Sequence, residues 1–455
     1  MKERGELARR LGQFDATCVV IGAIIGVGIF FSPGQIARTA GSANVALITW
    51  TAGALAALCG ALTFARLGRL YPRAGGQYEI LRDATGPFSG YLCTVIHGTA
   101  IIPGSAAVIA IICAQNLVTL VAGREASAGE AAVLAQALIW GVVLANCAGV
   151  RAGAGLQNFT VVIKLLLLAA IVGGAFLVTA PAAGAASAAG AGGGALPSDT
   201  AGAIGGGVLG AVMAGLIPAF FAYGGWQQVL WMAGEVRDAE RKVPRAILIG
   251  MAVVVLIYLA ANWAYFTLLG FEGVVHAKAL AAEAMQRVSG DWGARAVAAG
   301  VTISALGVLN AQFLAGPRLI YAAARDGRFF SAFAHVPARV QTPVASILGL
   351  GAVSSLLLFL AGADGIDPLT AWVVVPDAVF MILTALALPL LARRRGELLG
   401  KWVLIAVLLF VLVEAAAVAG AVLNEAVHAA AIAGLVWMGC MALLWVVRFR
   451  RNASV

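Results

Sequence analysis

Two glycine-rich stretches and one lysine are the residues of this chain whose types and spacing could do chemistry. GAIIGVGIF (Gly22 to Phe30) places three glycines in seven residues, and IPAFFAYGGWQQ (Ile217 to Gln228) joins Pro218 to the pair Gly224 and Gly225. Both lie in apolar runs, where each glycine costs a helix about 1 kcal/mol, so two such clusters call for a reason. Single glycines in membrane helices serve close packing, but a helix that unwinds offers something else. Bare N–H groups at the start of one half-helix attract an anion, and bare C=O groups at the end of the other accept from a cation. The amides of Gly26, Val27 and Gly28 would then hold a carboxylate, and the carbonyls of Ala23, Ile24, Phe221, Ala222 and Gly224 an ammonium group. Such a cradle recognises a zwitterion without any charged side chain.

Lys164 stands well inside a further apolar run, FTVVIKLLLLAAIVGG. A lysine at the bilayer centre costs about 2.5–3.5 kcal/mol on insertion scales and is a functional residue by default; the alternative is a side chain that snorkels to the surface. It reads as the one basic residue buried in a span, with Ser304 and freed carbonyls of the first span as its acceptors. Asp377, after Pro376, is an accessory candidate facing the same cavity. Glu414 sits in an otherwise lipid-like run, where a structural or interface role fits equally well.

The elements that must position these residues are membrane helices. Of the 455 residues, 62% are apolar and only 11% charged, with a mean hydropathy of +0.95. A soluble domain with so few charges could not cover its surface, whereas an embedded one need not. Apolar runs of about 20 residues, each long enough to cross the bilayer as a helix, predict twelve spans, near 14–38, 44–66, 88–121, 130–149, 156–180, 207–234, 246–269, 293–323, 343–362, 367–391, 400–422 and 427–447. With both termini cytoplasmic, the outside loops keep five basic residues (Arg38, Arg124, Lys278, Arg287, Arg295), and nearly all the rest, Arg318 among them, fall in inside loops. This asymmetry sets the topology by the positive-inside rule and accounts for the net charge of +9 without nucleic acid.

The Ala-, Gly- and Ser-rich segment from Pro181 to Gly202 reads as a flexible outside loop. Inside loops 66–87 and 235–245 have the charge and apolar spacing of short helices lying on the membrane face. The two glycine clusters fall five spans apart, so their helices run in opposite directions. Interrupted helices at matching positions of two inverted halves point to a transporter binding site.

Other classes lack their signatures. The six cysteines all fall in predicted spans without a CxxC pair, so neither a disulfide framework nor a metal site is expected. Four scattered histidines, and no HExxH, GxSxG or Walker A sequence, argue against an enzyme, a cofactor or an ATP-driven pump. Arg9 and Arg10 precede an apolar stretch too long for an export signal, with no A-x-A cleavage site.

FDATCVVIGAIIGVGIF (14–30), YPRAGGQYEILRDATGP (71–87), QNFTVVIKLLLLA (157–169), FAYGGWQQ with GEVRDAERKVPRAI (220–247), and SALGVLNAQFLAGPRLIYAAARDGRFF (304–330) followed by TPVAS (342–346) carry a resemblance. Through them the chain resembles the amino acid–polyamine–organocation superfamily, and within it the L-type amino acid transporter-like bacterial permeases. The resemblance implies an all-α polytopic membrane protein with a leucine-transporter-like fold of two inverted five-helix repeats plus two helices, helices 1 and 6 being discontinuous. Residues 1–180 would be the first repeat, 181–206 the outside loop, 207–392 the second repeat and 393–455 the last two helices with the C-terminal tail.

It further implies substrate contacts at Ile24, Gly26, Val27, Gly28, Phe221, Ala222 and Gly224, with Phe221 as an aromatic gate. Lys164 would stand where sodium-coupled relatives bind an ion, bridging helices 1 and 8 near Ser304. Val27 replaces a serine found in many relatives, removing a hydroxyl contact. Some eukaryotic members pair with a heavy chain through a cysteine after helix 3; AGREASAGE (122–130) has none, so no disulfide-linked partner is expected. The function implied is a permease of the cell (inner) membrane that moves an amino acid by alternating access, as exchanger or proton symporter. Carriage of amines, polyamines or cationic amino acids is the alternative, and a sensor that binds without transport is the rival of another class. With only Asp377 placed to meet a cationic side chain, small neutral amino acids are favoured.

Overall fold

A computed structural model describes residues 7–179, 207–277, 279–362, 366–423 and 428–448. Among them the chain is almost wholly helical, with one isolated bridge, Leu11 to Val236, in place of any sheet. Eleven helices are long and apolar enough to cross a membrane, and a shorter apolar helix lies near residues 207–220. The Pro181 to Gly202 loop of the sequence reading lies outside the described residues.

The first span is split into α1 (Gln13–Ile24) and α2 (Gly28–Ala40). Unbroken helices α3 (Ala43–Leu70) and α4 (Gln77–Thr85) follow. Next are α5 (Pro87–Ala122), which passes through a π-helical turn at His97–Ile101, α6 (Ala128–Cys147) and α7 (Val150–Thr179). The sixth span is again split, into α8 (Gly207–Tyr223) and the short α9 (Gln228–Trp231). Then come α10 (Ala239–His276), kinked at Gly270, and α11 (Leu280–Arg325), kinked at Ser289–Gly290. The last four are α12 (Val344–Ala361), α13 (Ile366–Arg394), α14 (Lys401–Leu423) and α15 (His428–Arg448).

The short helix expected within 66–87 is α4. That expected over 235–245 does not form: a 3-10 turn covers Ala233–Glu235, and residues from Ala239 onward are the first turns of α10. Pro244, which has no N–H, removes one rung near the start of α10, but the helix continues past it, so propagation makes one helix of the amphipathic start and the apolar run after it.

Packing follows the logic of a lipid solvent. On α7 the buried positions include Gln157, Thr160, Lys164 and Leu168, while Phe159, Val162 and Leu166 face outward. Lipid takes the large apolar side chains and the interior keeps the polar ones. The split helices pair half with half, α2 against α8 and α1 against α9, so the two breaks stand side by side.

Candidate functional site

Each break has a local cause. In the first, Ile25 N–H still bonds to Ile21 O at 2.8 Å, but the backbone at Ile25 turns extended and regular helix resumes only at Gly28. In the second, Gly224 N–H closes on Phe220 O at 2.9 Å, and Gly225 takes φ +118°, a conformation open to glycine. Close approach of the two strands of loose backbone also requires glycine. A Cβ on Gly225 would stand 2.7 Å from Ala23 O, and one on Gly28 would stand 2.9 Å from Ala222 Cα.

Among the described residues no backbone carbonyl takes the amides of Gly26, Val27 or Gly28. Tyr258 of α10 braces this peptide: its hydroxyl donates to Ile24 O at 3.1 Å and faces the Gly26 amide. Tyr223 and Trp50 pack around Tyr258, with ring centroids 5.2 and 5.9 Å from it.

Between the breaks lies a cavity of about 200 Å³, whose wall includes Ala23, Ile24, Gly26, Val27, Gly28 and Gly224. Ala222 is not part of that wall; it is buried against Gly28. The side chain of Phe221 lies outside the described residues. Three buried side chains of the wall carry polar atoms without a hydrogen-bond partner among the described residues: Trp226 Nε1, Gln227 Oε1 and Gln228 Oε1. A cavity of this size, walled largely by apolar groups with a few converging polar ones, suits a small ligand.

Lys164 is fully buried and donates from Nζ to Gly22 O at 2.9 Å, a carbonyl of the last turn of α1. Its stem runs past Gly307 of α11, where an added Cβ would meet Lys164 Cε at 3.0 Å and Thr160 Oγ1 at 2.5 Å. It therefore reaches α11 at Gly307. Ser304 is buried, has no hydrogen-bond partner among the described residues and does not accept from the lysine.

Two readings of charge are corrected. Lys164 is not the only buried base, because Arg318 is also fully buried; it lies within α11, not in a loop. Its Nε donates to Glu235 Oε1 at 2.6 Å, its Nη2 to Thr342 Oγ1 at 3.2 Å, and its Nη1 to Leu314 O. Nor is Asp377 the lone acid: Glu414, only 8% exposed, lines the same cavity from α14. α14 is lipid-facing on most of its surface, and a single sequence does not show which side of a mostly apolar helix turns inward.

A buried amide network also escaped the sequence reading. Asn146 Nδ2 donates to Asn310 Oδ1 at 2.9 Å, and Asn310 Nδ2 donates to Gln157 Oε1 at 2.8 Å, tying α6, α7 and α11 together. Three amides in apolar runs were its available signal. Gln157 reaches α1 as well: a Cβ on Gly22 would lie 1.8 Å from Gln157 Nε2.

Discontinuous helices meeting around a small cavity define a membrane carrier, and comparison with known proteins gives its kind. The family described as Amino acid permease matches residues 11–447, and the chain belongs to that family. It is 27% identical over 395 residues to the b(0,+)-type amino acid transporter 1 of Oryctolagus cuniculus, covering 86% of this chain and 78% of that one. It is 27% identical to the serine/threonine exchanger SteT of Bacillus subtilis (strain 168), over 87% of this chain and 86% of that one. To the large neutral amino acids transporter small subunit 2 of Homo sapiens it is 28% identical, over 78% of this chain and 64% of that one. The protein is thus a polytopic amino acid permease.

Proposed function

We propose that the cradle between the two breaks binds the carboxylate and ammonium groups of an amino acid, and that the halves on either side rock to expose it alternately to each face of the membrane. The juxtaposition that carries this reading is loose backbone from two spans on one small cavity, with Gly26, Val27 and Gly28 at the start of α2 and Ala23, Ile24 and Gly224 at the ends of α1 and α8 all on its wall. Helix-end dipoles complement a zwitterion at both its poles. Ala23, Ile24, Gly26, Val27, Gly28 and Gly224 contact the substrate backbone, Phe221 gates it, and Ala222 acts indirectly by packing on Gly28.

Lys164 controls the cycle through Gly22, because the first break cannot re-form or shift without moving that carbonyl. Residues 1–180 and 207–392 act as the two repeats, both termini are cytoplasmic, and the protein works in the cell membrane without a disulfide-linked heavy chain or enzymatic activity. Relatives named for serine, threonine and large neutral amino acids favour a neutral substrate, carried by exchange or by proton symport.

Purified protein in liposomes preloaded with unlabelled serine, alanine or leucine should take up labelled amino acid by counterflow. Binding with no counterflow for any of a full amino acid and amine panel would replace the carrier by a sensor. Lys164→Ala transporting with an unchanged rate and pH profile would remove the lysine from the mechanism.

A further inference from the structure

One wall of the cavity has a chemistry that the zwitterion cradle does not use. His97 is fully buried in the π-helical turn of α5, an irregularity frequent at functional sites. Its Nδ1 lies 2.8 Å from Cys93 O. A carbonyl only accepts, so Nδ1 carries a hydrogen, and in the neutral ring Nε2 is then an acceptor. That Nε2 faces Asp377 Oδ1 of α13 at 3.7 Å, and neither atom has a hydrogen-bond partner among the described residues. Two bare acceptors oppose each other there unless a proton sits on one of them.

Asp377 opens on the cavity with its side chain 30% exposed, while His97 behind it is sealed from solvent. Glu414 lines the same cavity, and among the described residues no lysine or arginine does. Two acids in a low-dielectric wall without a fixed counter-cation require positive charge from elsewhere.

The groups facing Asp377 are few. α5 presents His97 and Cys93, and α14 presents Glu414. α4 presents the neutral Gln77 to Thr384, and α15 presents Trp437 to Trp372. α3 carries its charged side chains, Arg66 and Arg69, only in its last two turns.

We propose that Asp377 and His97 form a proton-binding site in the cavity wall, with Glu414 as its electrostatic neighbour, and that its proton is loaded and released through the cavity during transport. The site has a route to the moving parts. The His97 ring meets Trp231 edge to face at 5.4 Å, and Trp231, which donates from Nε1 to Gln77 Oε1 at 3.0 Å, is the last residue of α9. A change of charge at His97 is therefore felt by the inner half of the second broken span. The inference deepens the transport reading and rests on it.

Full-length protein in liposomes with a pH dye in the lumen separates the two. Counterflow of labelled serine at equal pH on both sides reports transport alone. An external pH one unit below the lumen should then drive up to about tenfold accumulation at one proton per substrate, with acidification of the lumen. Asp377→Asn and His97→Gln should both lose accumulation and acidification while keeping measurable counterflow. Wild-type counterflow with neither accumulation nor acidification overturns the proton site and leaves the carrier standing; a wild type silent in counterflow overturns both. If Asp377→Asn does not exchange, His97→Gln decides, and gradient-driven accumulation unchanged in that variant overturns the proposal.

Discussion

Lys164 and Arg318 are both fully buried basic residues, on helices α7 and α11 that pack against each other, yet they are treated differently. Arg318 meets a carboxylate, a hydroxyl and a carbonyl, and its partner Glu235 is itself fully buried. The carbonyl of Glu235 also takes the amides of Arg10 and Leu11, both at 2.9 Å, so the segment before α1 is pinned to the same post. Among the described residues Lys164 has one acceptor, a backbone carbonyl in the last turn before the break in α1. A saturated ion pair is an anchor, and a lysine with one hydrogen bond at a helix break is a contact that a cycle can make and release. Full satisfaction opposes movement because every partner must be desolvated again on return.

That contrast can be broken by substitution. The largest effect is expected for Arg318→Ala, which leaves the Glu235 charge buried and uncompensated at a cost of about 3–5 kcal/mol. Melting followed by size exclusion in detergent should show loss of the folded species, and a variant as stable as wild type would end the anchor reading.

Lys164→Ala should act the other way, lowering counterflow by about tenfold or more while costing less stability, because a hydrogen bond between buried groups nets about 1 kcal/mol. A melting temperature that falls as far as that of Arg318→Ala would make the lysine a second anchor.

Gly22→Ala sharpens the view of the break. Its methyl group would collide with Gln157 Nε2, and overpacking of this kind costs about 1–3 kcal/mol. The double variant with Gln157→Ala should recover much of both stability and transport, which the double-mutant cycle measures.

Tyr258→Phe should be smallest, losing one hydrogen bond to Ile24 O worth about 1 kcal/mol and raising KM several-fold with little change in expression. An unchanged KM would detach the tyrosine from the break.

The sequence alone made much of the frame legible. Hydropathy marked the spans, because a bilayer demands about 20 apolar residues per crossing wherever they fall. The glycines at 22, 26 and 28 and at 224 and 225 marked where the helices part, because their cost to a helix is local. Lys164 stood out on the same ground, as a charge among apolar neighbours.

Which side each helix turns inward was not legible. Glu414 sat in a lipid-like run with no side assigned, Arg318 looked like a loop residue, and Ser304 was one candidate acceptor for Lys164 beside the carbonyls of the first span; the structure gives the first a cavity, the second a buried carboxylate, and the third no hydrogen-bond partner among the described residues. Composition and period determined that this protein is a bundle of membrane helices with two weak points. Only the tertiary structure decided that the weak points touch, that Tyr258 braces one of them, and that His97 and Asp377 face each other from chain positions far apart. Hydropathy and helix propensity are properties of neighbouring residues, whereas pairing between helices depends on rotation about their axes, which an apolar sequence in an apolar solvent constrains weakly.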